Sequence, residues 1–132
     1  MPQAEIRLRI AERRDAQCLS ALGTQVFLET YATSGIRLTL AREVDSQFAV
    51  SATLARLNER ACRTVLAEHA GHLVGFAEVV LGAAHALVAA QSAAELTRLY
   101  VQSPFPRQGV GRSLLGQAEA LASAEAASTL WL

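Results

Sequence analysis

The sequence predicts a mixed α/β fold of the α+β type, with a mostly antiparallel central sheet and helices on both of its faces. Three observations predict it. Hydrophobic periodicity changes along the chain in the order strand, helices, three strands, helix, strand. A turn at His69-Ala70-Gly71-His72 joins two apolar, β-rich runs into a hairpin. The stretch from Leu96 to Leu115 reads as a strand, a tight loop and the start of a helix, so an antiparallel hairpin precedes a βαβ unit.

Each element follows from local pattern. Ile6-Arg7-Leu8-Arg9-Ile10 alternates apolar and charged residues, which gives a strand with one wet face. Asp15 is placed to cap a helix over Ala16–Tyr31, whose buried stripe is Leu19, Leu22, Val26 and Phe27. Thr33-Ser34-Gly35 ends it. Further helical pieces cover Leu40 to Phe48 and Ser51 to Glu59, the latter with Leu54 and Leu57 inside. Arg63 to Glu68 and Leu73 to Leu81 are the hairpin strands, and Gly71 supplies the positive φ of their turn. Gly82 to Ala94 reads as a long Ala-rich connection. Leu96 to Val101 is a strand, Pro104 and Pro106 stop it, and from Val110 the apolar spacing becomes helical through Leu114, Leu115, Ala118, Leu121 and Ala122. Ser128 to Leu132 is β-prone. There is no internal repeat and no linker, so the 132 residues form one domain, 1–132.

Composition narrows the function classes. The formal net charge is zero, which argues against a bulk nucleic-acid binder. No apolar run approaches the ~20 residues of a membrane span, and the N-terminus lacks a secretory pattern, so no membrane partner is expected and a cytoplasmic location is the default. All 12 basic residues are Arg, which removes any mechanism that needs an internal lysine. Cys18 and Cys62 are far apart and read as buried, reduced thiols. His69 and His72 flank a turn and His85 has no visible partner, so no metal site is expected.

The loop before the last helix carries the chemistry. A glycine-bearing loop that feeds a helix N-terminus presents unbonded N–H groups and the positive end of the helix dipole, a device for holding an anion. Arg107 and Arg112 bracket it, so the expected ligand is a phosphate or pyrophosphate. The dinucleotide fingerprint fails, because Leu114 stands where its third glycine is needed. A Walker reading fails as well: Gln117-Ala118 replaces Lys-Ser/Thr, and its glycines lie inside a helix.

The stretch resembles the acetyl-coenzyme A signature of the GNAT N-acetyltransferase superfamily. That signature is a strand E-L-x-x-L-Y-V, a short loop, Q/R-x-x-G-x-G/A, and a helix beginning x-x-L-L. It appears here as Glu95-Leu96-Thr97-Arg98-Leu99-Tyr100-Val101, then Pro106-Arg107-Gln108-Gly109-Val110-Gly111, then Arg112-Ser113-Leu114-Leu115. Pro106 departs from the pattern, since it stands at the Gln/Arg position and has no N–H to donate. Leu73-Val74-Gly75-Phe76-Ala77-Glu78-Val79 is similar to the family's middle strand, Asp15 and the helix after it match the first helix, and Trp131-Leu132 resembles the start of the fifth strand. Val26 to Tyr31, the Phe48 segment and Glu95 to Val101 together look most like a bacterial branch that includes polyamine acetyltransferases.

The resemblance implies transfer of an acetyl group from acetyl-coenzyme A to a primary amine of a small molecule or protein, by direct attack in a ternary complex and without a metal. It implies that the backbone of Leu99, Tyr100 and Val101 pairs with the pantetheine arm, and that an N–H near residue 99 polarises the thioester carbonyl. Arg107 and the N–H groups of Gln108, Gly109, Val110, Gly111, Arg112 and Ser113 would hold the pyrophosphate. Glu95 and Thr97 would face the acyl group, with Glu95 as base. Glu29 and Tyr31 would contact the acceptor. The family continues with a helix bearing an Asn and a Tyr and two more strands, so a C-terminally incomplete sheet is expected. A fragment is the favoured explanation, beside natural truncation or completion by a partner chain. The family is often dimeric, which leaves a homodimer open. The alternative to an enzyme is a non-catalytic acyl-coenzyme A sensor or an interaction module on the same scaffold.

Overall fold

The computed structural model describes residues 5–82, 93–103, 109–124 and 129–131. The elements are β1 (Ile6–Ile10), α1 (Ala16–Tyr31), α2 (Leu38–Phe48), α3 (Val50–Asn58), β2 (Cys62–His69), β3 (His72–Leu81), β4 (Ala93–Val101), α4 (Val110–Ala124) and β5 (Thr129–Trp131). They form a five-stranded sheet in the order β1-β2-β3-β4-β5. The first three pairings are antiparallel and β4–β5 is parallel. Most of the expected connection after Gly82 lies outside the described residues, as do His85, Pro104, Pro106, Arg107 and Gln108.

The β2–β3 hairpin is the centre of the sheet. Its two-residue loop puts both Ala70 (φ 50°) and Gly71 (φ 81°) in the left-handed region, as a turn that matches the twist of its strands requires. One face of the sheet has an apolar centre. Val65, Ala67, Val74, Ala77, Val79, Ala94 and Leu96 pack there against Val110, Leu114, Ala118 and Ala122 of α4. The α4 residues recur at a spacing of four, so they form a single stripe, and all four are buried.

The other face carries α1 and α3. Leu19 and Leu22 of α1 pack on Leu66 and Phe76, with Leu57 and Tyr100 at the margin. In α3 the buried residue is Thr53, whose hydroxyl meets that of Ser20 at 2.8 Å, while Leu54 and Leu57 are only half-buried. Gly23 lets α2 close on α1, since a Cβ there would stand 2.6 Å from the Phe48 ring.

Two expectations are corrected. Asp15 does not cap α1. Its carboxylate is taken by the Arg9 guanidinium at 2.7 and 2.8 Å and by the Glu12 N–H at 2.7 Å, so it ties the start of the helix to β1 instead. Cys18 is exposed, because it falls one position off the Leu19/Leu22 stripe and so lies on the solvent side of α1.

Candidate functional site

Strand β4 is irregular at one point. Glu78 pairs with Arg98 and Val79 with Leu96, so Thr97 is an extra residue on β4. Ahead of this bulge Ala94 and Leu96 face α4. Beyond it Arg98 and Tyr100 face the α1–α3 side.

The bulge also resets the backbone. Gln102 donates its N–H to Val74 O at 2.8 Å. Antiparallel bonding alternates along a strand, so Tyr100 and Arg98 also turn their N–H groups toward β3. Leu99 and Val101 therefore turn theirs the other way, toward the edge on which β5 pairs. The β4–β5 pairing spans Ala93–Glu95, and among the described residues no strand covers that edge from Leu96 to Val101.

The helix that follows starts abruptly. Gly109 adopts φ 79°, open to glycine at little cost. The first helical bond runs from the Ser113 N–H to Gly109 O at 2.9 Å. The N–H groups of Val110, Gly111 and Arg112 thus stand ahead of the helix's own ladder, whereas that of Ser113 is already used. This narrows the expected anion cradle at its C-terminal end. Among the described residues, a Cβ on Gly111 would meet only Val101, at 3.8 Å. The Arg112 side chain is exposed.

Behind β4, on the α1–α3 face, charges sit inside the fold. Glu78 is buried in the middle of β3. The Thr97 hydroxyl donates to its carboxylate at 2.8 Å and lies 3.1 Å from its carbonyl oxygen. Arg98 Nε lies 3.9 Å from the carboxylate on one side and Arg56 Nε 4.0 Å on the other. Arg56 also donates to Gln47 O at 2.6 Å, and Arg98 to Gln47 Oε1 at 3.3 Å. The Arg98 guanidinium stands 5.0 Å from the centre of the Phe48 ring. Burial, and then repulsion from Arg98, lower the Arg56 pKa. Burial, then the neighbouring Glu78, push the Cys62 thiol up to about 12. Burial also raises the Tyr100 phenol. Between these groups lies a hollow of about 20 Å³.

Aromatic rings continue outward from this cluster. Phe76, Tyr100, Phe48, Phe27 and Tyr31 follow one another at centroid separations of 5.1, 6.0, 5.6 and 4.8 Å. Tyr31 is 63% exposed and borders an open hollow of about 280 Å³ with Ile36, Arg37 and Leu40.

The expected site residues are distributed over this surface. Glu95 is half-buried on β4, opposite Val80 and beside Trp131, and its position alternates to the α1–α3 face. The Thr97 hydroxyl is committed to Glu78. Glu29 is exposed at the end of α1, and Tyr31 joins the aromatic row. His69, His72 and Cys18 border a separate open hollow of about 540 Å³. Among the described residues no group of three His, Cys, Asp or Glu side chains is arranged to hold a metal. Among them, too, no helix is long and apolar enough to cross a membrane.

The Glu78, Arg98 and Arg56 cluster was not expected. Its signal in the sequence is a charge inside each of two mostly apolar runs, Glu78 within Gly75–Val80 and Arg98 within Leu96–Val101.

A mostly antiparallel sheet with helices on both faces, a bulged strand, and a glycine-initiated helix after it make a mixed α/β domain. The chain belongs to the acetyltransferase (GNAT) family, whose pattern matches residues 27–132. No curated protein matches the sequence. Solved structures share the fold. The PaiA N-acetyltransferase of Thermoplasma acidophilum, in complex with coenzyme A, has a TM-score of 0.77 at 20% identity, over 93% of this chain and 75% of that one. Aminoglycoside N-acetyltransferase AAC(6')-Iy, in complex with coenzyme A, has a TM-score of 0.74 at 13% identity, over 98% and 77%. The ribosomal-protein-alanine N-acetyltransferase of Brucella melitensis biovar Abortus 2308 has a TM-score of 0.70 at 17% identity, over 97% and 79%.

Proposed function

We propose that this protein transfers the acetyl group of acetyl-coenzyme A to the primary amine of a small molecule, and that the residues described above divide the work between donor and acceptor. The observation that carries the reading is that the bulged strand and the helix start lie side by side. The outward backbone of Leu99 and Val101 is next to the first turn of α4, where a Cβ on Gly111 would stand 3.8 Å from the Val101 side chain, and the N–H groups of Val110, Gly111 and Arg112 stand ahead of the helix's own ladder.

An extended pantetheine arm adds to a strand edge through main-chain bonds, as peptides do in β-augmentation. The Leu99 N–H, turned to the uncovered edge, polarises the thioester carbonyl. The diphosphate is held at the α4 N-terminus, with Arg107, Gln108 and Arg112 adding to the N–H groups. The amine nitrogen attacks the carbonyl carbon, the carbon–sulfur bond breaks, and the thiol leaves with a proton. Glu95 takes the proton that the ammonium must lose. Glu29 holds a cationic acceptor at the rim, and Tyr31 packs against its carbon frame. Much of the acceleration comes from holding amine and thioester together. The neighbours named for aminoglycoside acetylation support a small-molecule acceptor, and a polyamine belongs to the same chemical class.

Turnover tests the proposal. The full-length protein is offered acetyl-coenzyme A with a panel of polyamines, aminoglycosides, amino acids and peptides, and free thiol is followed. Amine-dependent thiol release is the expected result. Tight binding with no thiol release for any amine would make the domain a sensor.

A further inference from the structure

We infer that Glu78 is a positioning residue for acetyl transfer: through the Thr97 hydroxyl it holds the β4 bulge that keeps the Leu99 N–H on the open edge of the sheet. The inference rests on the proposed acetyl transfer and deepens it, since nothing in the family match assigns a role to Glu78.

A bulge is a register choice, and register must be specified by something. With no extra residue at Thr97, the alternation set ahead of the bulge would continue. Arg98 and Tyr100 would then turn their backbone groups to the open edge, and Leu99 would bond to β3. Thr97 is the extra residue. Its hydroxyl reaches the carboxylate of Glu78 at 2.8 Å and the carbonyl of Glu78 at 3.1 Å, and Glu78 is the last β3 residue before the register shifts. The lock therefore sits at the point where the two registers diverge.

The carboxylate is itself fixed. Its side chain is 9% exposed, with Arg98 and Arg56 on either side, and both arginines are anchored on Gln47 at the end of α2. Stability alone does not call for this arrangement. Apolar side chains of similar volume serve a buried strand as well as an ion cluster or better, whereas a buried polar group is well suited to fixing register. The same pairing also keeps Arg98 off the apolar α4 face.

The test compares Thr97→Val, Thr97→Ser and Glu78→Gln in the full-length protein. Valine keeps the shape of threonine and removes the hydroxyl. Serine restores it, and glutamine keeps an oxygen acceptor for it. Steady-state kinetics are read together with the infrared carbonyl stretch of bound ¹³C-acetyl-coenzyme A, which reports polarisation by the N–H. Thr97→Val is expected to lower kcat on the order of 10- to 100-fold through misplacement of the carbonyl donor. Its KM for acetyl-coenzyme A stays within about twofold, because the diphosphate contacts remain. The bound carbonyl stretch moves toward its value in water. Thr97→Ser recovers most of kcat and of the stretch, and Glu78→Gln lies between. Wild-type kcat and stretch in Thr97→Val would overturn the inference while leaving acetyl transfer intact. So would a Thr97→Ser protein as impaired as Thr97→Val. A wild-type protein that neither binds nor turns over acetyl-coenzyme A would overturn both.

Discussion

The two faces of the sheet are built by different means. Against α4, every described side chain in the core is apolar, and Val65, Val79, Val110 and Leu114 are fully buried. Against α1 and α3, apolar packing shares the space with Glu78, Arg98, Arg56, Thr64, Thr53 and Ser20, and the edge near β1 is tied by Arg9, Asp15 and Glu68. Non-directional burial can hold a helix in place, but it cannot hold a functional group at a chosen atom. Directional bonds do that, at a cost in desolvation. The difference teaches where to look for the chemistry: on the proposed reading the α4 face backs the donor site, and the polar face sets the geometry of β4.

The largest break in this contrast comes from the apolar side. Leu114→Ala removes a fully buried side chain from the centre of the α4 contact and should lower unfolding free energy by about 2–5 kcal/mol, read by urea denaturation. A loss no larger than that of an exposed leucine such as Leu38 would mean that α4 does not depend on this stripe.

The polar side should be the pH-sensitive one. The Arg9 guanidinium, working against burial, holds the Asp15 carboxyl below its ordinary value of 3.8. A depressed carboxylate contributes stability that is present above its unfolded-state pKa and is lost as pH falls through the folded one. Stability of the wild type should therefore drop below about pH 4, where carboxylates ordinarily begin to protonate. Arg9→Met should be less stable at neutral pH and show a shallower acid limb. Parallel acid limbs would remove this ion pair from the account.

The smallest effect concerns the thiols and leaves stability untouched. Cys18 is exposed, whereas Cys62 is half-buried beside Glu78 with its thiol pushed up to about 12. At neutral pH a thiol reagent should label Cys18 rapidly and Cys62 only on unfolding, since the thiolate is the reactive form. In Cys18→Ser the fast phase should vanish.

Sequence legibility follows the same division. The hairpin, α1 over Ala16–Tyr31 and the α4 stripe were readable because apolar residues recur at the period of the element that buries them. The glycine ahead of α4 was readable because its placement answers a backbone need, φ 79° at Gly109. The Glu78 cluster was not readable as a site. Its members come from α3, β3 and β4, and only the sheet register brings Glu78 opposite Arg98. The role of Asp15 was misjudged for the same reason: a cap is local, whereas Arg9 reaches it from across the strand–helix turn. Cys18 shows the limit of periodicity, where one position along a helix separates the core from solvent.

The central claim is that the β4–α4 junction holds a coenzyme A diphosphate, and calorimetric titration of acetyl-coenzyme A into the wild type and Gly111→Glu tests it most directly. The described residues beside Gly111 leave room for a side chain, so the variant should fold, while its carboxylate lies at the first-turn N–H groups of the helix. The account predicts saturable binding to the wild type and a loss of affinity on the order of 100-fold in the variant, from like-charge repulsion at the anion site. Equal affinity in the two proteins would contradict it.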